Sequence, residues 1–410
     1  MICLRKQKMK VYIITKEPFP NGMAATNRIK CYARAIHDGG MDCEVTVCGS
    51  TEIKGMKIKN TKAVGIYEGV PFRYIGGTTT GSSKSFVRKI IQFRNLIYTA
   101  FYLYHNLKAG DILFLIFEFK IKWTLFFMKI AKMKKAFCVR DLCELPYGTG
   151  AETEQANSLR KLTLEKQFPK LNGVISISDT LLELAKKHTL PTCTHIKIPI
   201  MVEFEKYETI KHYDETTTPY IFHAGTLSQK KDGILGMIEA FGMAKQHLSF
   251  PIKYILTGKI EESSHPNELR KIIQYYNLQD SIEFVGYLSQ NQIKNYLEKA
   301  SLVISNRPKS IQDYYGFSTK VGEYLASGTP LITTYWGEVV NWLKDGENAY
   351  IIEPENTIAL ADKIVYVFTH PEDSKKIGYA GQIICRNYFD YRVWSKPLVE
   401  YLNQLDQQPK

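Results

Sequence analysis

The stretch YYGFSTKVGEYLASGTPLITT, residues 314–334, joins a helix to a buried strand through a tight turn. Ser318 and Thr319 are helix-capping residue types, the helix runs on through Lys320, Glu323 and Leu325, and Gly328 and Pro330 end it. The strand that follows, PLITT (330–334), is one of five such runs in the second half of the chain. The others are YIFHAG (220–225), IKYILTG (252–258), SIEFVG (281–286) and SLVISN (301–306), each followed by a helical or loop segment. Four of these runs end in Gly or Asn, where the chain must turn sharply at the carboxyl edge of a sheet.

The first half shows the same alternation. VYIIT (11–15) leads through the loop KEPFPNGMAA to a helix from about Thr26 to His37, which Gly39 and Gly40 end. Further strands are predicted at CEVTVCGS (43–50), DILFLIF (111–117), AFCVRDL (136–142) and GVISIS (173–178). Continuous apolar strands separated by helices imply parallel sheets covered on both faces. The expectation is therefore an α/β chain of two Rossmann-like, doubly wound domains facing each other across a cleft, with ligands at the carboxyl edges of the strands. The polar stretch FEKYETIKHYDETTTP (204–219) is the expected linker between a first domain at 9–203 and a second at 220–390. Met9 opens MKVYIIT, so residues 1–8 read as an upstream extension.

Composition agrees with two ordinary cores. The chain has 410 residues, 44% hydrophobic and 23% charged. It contains no run of about 18 uncharged apolar residues, and the opening MICLRKQKMK lacks the apolar stretch of a secretory signal. The eight cysteines are scattered without zinc spacing, which predicts buried free thiols in a reducing cytoplasm. The net charge of +13 is confined to one half: residues 1–205 hold 32 Lys and Arg against 17 Asp and Glu, and residues 206–410 hold 22 against 24. Such asymmetry points to an anionic partner of the first half, a membrane surface or nucleic acid. The segments 83–108 and 119–135 interleave Lys and Arg with aromatic and aliphatic residues. Phe86, Ile90, Phe93 and Ile97 in the first, and Trp123, Phe126, Phe127 and Ile130 in the second, form stripes that suit either a lipid surface or the core.

Three motifs carry chemistry. Backbone N–H groups at the start of the helix after Ser318, with Lys320 in its first turn, suit a diphosphate, and Glu323 is spaced to accept bonds from vicinal hydroxyls. The same residues also read as an amphipathic helix with a surface ion pair. In FHAGTLSQKKDG (222–233) a strand ends at Gly225, and Lys230 and Lys231 precede a helix opened by Asp232 and Gly233, a phosphate-binding arrangement that two solvated loop lysines would equally explain. PFPNGMAATNR (18–28) is a small-residue loop between strand and helix, though not a GxGxxG fingerprint, and a plain tight turn accounts for it as well.

In this order the three motifs resemble glycosyltransferase family 4 on the GT-B fold, most clearly from Tyr220 to about Asn348 and also over Met9–Gly49. RDLCELP (140–146), EKQFPKLNGVISISD (165–179) and IPIMVE (198–203) match further landmarks, and the pattern is nearest to bacterial members that build surface polysaccharides on lipid carriers. The resemblance implies that Glu323 holds the donor ribose and that Gly316, Phe317, Ser318 and Thr319 approach the sugar and diphosphate. It also implies that Lys231 contacts the diphosphate, that Gly22 lies in the N-terminal glycine loop, and that Asp141 falls near a donor-contacting position. Two departures stand out: Tyr315 occupies the place of the first glutamate of the family pair, and Thr226 follows Gly225 where an arginine is usual, so Lys320 is expected to supply the missing charge. The implied activity is hexosyl transfer from a nucleotide diphosphate sugar to a saccharide or lipid-linked acceptor, with retention, without a metal or other cofactor. The implied place is the cytoplasm, peripheral on the inner face of the cell membrane. The last helix, from about residue 391 to 410, is expected to cross back onto the first domain.

Competing readings are a nucleotide-sugar epimerase or phosphorylase on the same fold, and a basic nucleic-acid-binding protein. Donor incubated with and without acceptor separates the first from a transferase. For the second, no nucleic-acid motif accompanies the charge, and a salt-dependent gel shift is the discriminating measurement.

Overall fold

A computed structural model of the chain describes residues 9–116, 119–148, 153–208 and 218–407. The chain divides into two compact units, Met1–Met201 with Tyr391–Lys410, and Val202–Asp390. In the stretch read as a linker, Phe204–Tyr207 form a 3-10 turn of the second unit in which Phe204 and Tyr207 are buried, while residues 209–217 lie outside the described residues.

In the first unit the strands β1 (Lys10–Thr15) and β2 (Asp42–Val47) flank helix α1 (Ala24–Asp38). A short strand β3 (Glu52–Ile53), a hairpin of β4 (Val64–Tyr67) and β5 (Val70–Tyr74), and β6 (Thr80–Gly81) follow. Alternation then resumes with α2 (Ser85–Asn106), β7 (Ile112–Leu115), α3 (Ile121–Met133) and β8 (Phe137–Leu142). It ends with α4 (Glu154–Lys166), β9 (Gly173–Ser176), α5 (Asp179–His188) and β10 (Thr194–Lys197). The main sheet has the order β10-β9-β8-β7-β1-β2-β5-β4, parallel throughout except for the β4–β5 hairpin. Val11, Ile13 and Ile14 are fully buried, as are Ile112, Leu113 and Phe114 beside them, which explains why these strands are apolar without alternation. The edge strand β10, THIK, is only half-buried and polar, so it gives no such signal in the sequence.

The second unit repeats the plan. Its strands are β11 (Tyr220–His223), β12 (Lys253–Leu256), β13 (Ile282–Phe284), β14 (Leu302–Ser305), β15 (Leu331–Thr334) and β16 (Tyr350–Ile352). Between them come α6 (Gln229–Asp232), α7 (Ile234–Gln246), α8 (Pro266–Tyr275), α9 (Gln290–Lys299), α10 (Ile311–Tyr315) and α11 (Thr319–Ala326). The helices α12 (Thr357–Thr369) and α13 (Pro371–Ile384) close it. All its strands are parallel, in the order β13-β12-β11-β14-β15-β16. Numbered from β11, this is 3-2-1-4-5-6, the doubly wound order whose direction reverses between the first and fourth strands.

The final helix, α14 (Tyr391–Gln404), packs on α1 in the first unit. Its Leu398 and Leu402 are fully buried, Tyr391 donates to Asp38 at 2.9 Å, and the Tyr401 hydroxyl lies 3.2 and 3.0 Å from the carbonyls of Val174 and Thr194. The seven cysteines among the described residues are free, and six of them are buried.

Candidate functional site

The carboxyl ends of β11 and β14 mark the reversal of strand order in the second unit, and buried charged groups gather there. His223 ends β11, and its Nδ1 lies 3.2 Å from the carbonyl oxygen of Ile304 on β14. A carbonyl only accepts, so Nδ1 carries the hydrogen and Nε2 of the neutral ring is a bare acceptor. Nε2 is buried without a hydrogen-bond partner, 3.9 Å from Asp232 Oδ1. Burial, reinforced by the Lys320 cation, pushes the imidazole pKa down to about 4, so the ring is neutral near pH 7.

Asp232 ends the single turn of α6, which Ser228 caps by accepting the Lys231 N–H. Its Oδ1 accepts from Lys320 Nζ at 2.5 Å, and Oδ2 is buried without a partner. Burial alone would raise its pKa, but Lys320 and then His223 overcome that and hold it at about 2. Lys320 comes from the first turn of α11, and Tyr324, one turn on, accepts the Ala224 N–H at 2.9 Å. Thr257, just past β12, accepts the N–H of Gly225 at 2.8 Å and donates to its carbonyl at 3.0 Å. Tyr324 and Thr257, from two different elements, thus fix Ala224 and Gly225. Gly225 is needed there because a Cβ would stand 2.4 Å from His223 Nε2, 2.8 Å from Lys320 Nζ and 3.2 Å from Asp232 Oδ2. The outcome is a cation on a buried counter-ion, arranged over Gly225 at a strand end.

Of the expected residues, Gly225 and Lys320 meet directly here. Thr226 follows on the exposed part of the loop, and Lys231 is exposed on α6, next to Asp232. Gly316 closes α10 with its N–H on the Gln312 carbonyl at 2.8 Å, and Phe317 is buried edge-on against Phe389. Ser318 occupies the N-cap of α11, but its side chain makes no capping bond, so the first-turn N–H groups are not closed off by it. Glu323 is half-buried on α11, and its charge acts on the phenol of Tyr207, whose pKa burial first raises. Tyr315, at the end of α10, meets Tyr314 edge-on.

Gly22 and Asp141 belong to the first unit. A Cβ at Gly22 would collide with Thr26 Oγ1, which donates to the Pro18 carbonyl at 2.7 Å, so this glycine is required by its own loop. Asp141, expected near a donor-contacting position, lies on β8 and is held by side chains of α1. Arg28 grips it through Nε at 2.9 Å and Nη2 at 2.7 Å, Tyr32 donates to it at 2.8 Å, and its side chain is wholly buried. Reading the sequence missed His223 and Asp232, although a histidine at a strand end followed nine residues later by an aspartate beside a lysine pair was available as a signal.

Residues 206–383 match the family described as glycosyl transferases group 1. Among curated proteins the chain is 26% identical over 180 residues to a trehalose synthase of Pyrococcus horikoshii, covering 42% of this chain and 40% of that one. The chain spans less than half the length of the curated relatives it matches. Among solved structures, the sucrose-phosphate synthase of Thermosynechococcus elongatus superposes with a TM-score of 0.71 at 15% identity, over 98% of this chain and 100% of that one. Anabaena Alr3699/HepE, solved in complex with UDP, superposes with a TM-score of 0.67 at 14% identity, over 97% of this chain and 100% of the other. The fold is therefore GT-B. The family match lies within the second unit, and the likeness to these solved structures shows the fold.

Proposed function

We propose that this chain is a glycosyltransferase that moves a hexosyl group from a nucleoside diphosphate sugar to a saccharide or lipid-linked acceptor. The observation that carries this reading is the convergence of Lys320, Asp232 and His223 on Gly225 at the strand-order reversal of the second unit. Only one of the three N–H groups of Lys320 is directed to Asp232, which leaves two for the oxygens of a diphosphate. As the bond from sugar to diphosphate breaks, charge builds on those oxygens, and a cation already held in place stabilises it without reorganisation. Asp232 keeps Lys320 pointed over the glycine loop. The α11 N-terminus, Thr226 and Lys231 contribute further donors, and Glu323 receives the ribose hydroxyls. UDP in the Anabaena structure supports a nucleotide donor. Retention, metal independence, a role in surface polysaccharide synthesis and a cytoplasmic place at the inner membrane face complete the reading and rest on the family resemblance.

The test is thermal unfolding with UDP, GDP and ADP, followed by chromatography of a nucleotide sugar incubated with and without a saccharide acceptor. The expected result is a stabilising shift with one nucleotide and sugar transfer only when acceptor is present. A donor isomerised, or cleaved by phosphate alone, would assign the epimerase or phosphorylase reading instead.

A further inference from the structure

The helix α2 turns its apolar stripe to solvent. Phe86, Ile90, Phe93, Ile97, Phe101 and Tyr104 follow each other at spacings of three and four residues, which places them within an arc of about 80° on a helix about 33 Å long. All except Ile97 are exposed, Phe86 at 75% and Phe101 at 60%. Of the 22 residues of α2, only Asn95, Thr99, Ala100 and Leu103 are buried; Asn95, Thr99 and Leu103 lie on the far side from the stripe, and the small Ala100 lies at its edge. Lys89 and Arg94 fall on the two flanks of the stripe, and both are exposed. Beside it runs α3, in register: Phe93 meets Trp123 edge-on at 5.6 Å, and Lys134, just past the end of α3, lies 4.5 Å over the ring of Tyr104, three turns further along both segments. The outer face of α3 presents Lys122, Phe126, Lys129 and Met133, again all exposed. Neither helix contains an Asp or Glu.

We infer that α2 and α3 form a docking surface for an anionic lipid bilayer, with the aromatic stripe seated in the headgroup layer and Lys89, Arg94, Lys122 and Lys129 on phosphates. A core-facing stripe would be covered, and this one is not. A protein partner is disfavoured by the charge: apolar residues flanked only by cations, over two helices, complement a surface that is apolar below and uniformly negative above. No helix among the described residues is long and apolar enough to cross a membrane, so the association is in the plane of the interface. The inference extends the membrane part of the proposed function and does not depend on the chemistry at Gly225.

The experiment is co-sedimentation of the full chain with phosphatidylglycerol-containing and pure phosphatidylcholine vesicles across a salt series. The wild-type chain is expected to bind the anionic vesicles and to leave them as salt rises. F86S/I90S/F101S abolishes binding, and K89A/R94A lowers partitioning about 25-fold, about fivefold for each charge. These side chains are exposed, so thermal midpoints stay unchanged, and UDP-induced stabilisation and transfer to a soluble acceptor are retained, which separates this surface from the donor site. Equal failure to bind both vesicle types at low salt overturns the inference. So does vesicle binding that neither variant weakens. A concentration-dependent dimer lost in F86S/I90S/F101S, without vesicle binding, would assign the face to a second copy of the chain.

Discussion

His223 is held neutral by burial and by the nearby lysine, and this makes the acid stability of the second unit depend on one ring. Its folded pKa of about 4 lies below the ordinary histidine value near 6.5, so between these values the unfolded chain binds a proton that the folded chain refuses. Stability therefore falls as pH is lowered through that window, by roughly 2–3 kcal/mol at its lower end. Asp232, held at about 2, contributes stability above the unfolded carboxylate range that is lost only as pH falls towards 2. Denaturant titrations from pH 7 to 4 are expected to show the loss in the wild-type chain and a flatter profile in H223Q; parallel profiles would contradict the assignment. At the same site, K320A removes a charge-assisted contact to the diphosphate and leaves Asp232 buried without its counter-ion. It is expected to weaken nucleotide binding by about 1.5–3 kcal/mol and also to lower the thermal midpoint. K231A, exposed, should weaken binding similarly with no change in midpoint. Calorimetric titration with the stabilising nucleotide, together with thermal unfolding, distinguishes the two.

Among the elements, α11 depends on α13 for its position. Gly378 of α13 lies so close to the turn after α11 that a Cβ would stand 2.4 Å from the Gly328 carbonyl oxygen and 2.8 Å from the Pro330 nitrogen. One turn further on, Gln382 donates to the Ala326 carbonyl at 2.8 Å and fastens the end of α11. Backbone cannot yield as a flexible side chain can, so G378A must move one helix from the other. The expected cost is about 1–3 kcal/mol of stability, with weaker nucleotide binding because α11 carries Lys320. If the midpoint falls and affinity is preserved, α13 supports the unit without positioning the site. The element signals in the sequence differ in strength. A strand buried on both faces, such as β7, is an unbroken apolar run, whereas the half-buried edge strand β10 and the short β16 have no run long enough to detect.

At the scale of the molecule, the first unit is completed by residues from the far end of the chain. Tyr391 and Asp38 are 353 positions apart, and α14 covers the buried face of α1. A chain ending at residue 390 exposes that face and is expected to lose the cooperative unfolding of the first unit, which limited proteolysis and circular dichroism would report. Y401F is a milder probe. It leaves the Val174 and Thr194 carbonyls without the hydroxyl, for an expected loss of about 1 kcal/mol. Preserved proteolytic resistance of the truncated chain would show that α14 is dispensable.

The sequence by itself determined the local conformations and their order: apolar strand runs, the helices between them, the glycine that ends β11's loop and the lysine in the first turn of α11. These are legible because periodicity, capping and glycine turns act over a few neighbouring residues. Tertiary structure alone decided which charges meet. Lys320 and Asp232 are 88 residues apart, and Arg28 and Asp141 are 113 apart, so their pairing follows from strand order rather than from any local pattern. The same kind of pairing buried Asp141 against Arg28 and put Asp232, read in the sequence only as opening a helix, under Lys320. It also decided the direction of the α2 stripe. A helix face bound for the core and one bound for a lipid surface share the same period of 3.6 residues, and only the burial of Asn95, Thr99 and Leu103 within the first unit turned the aromatic residues outward.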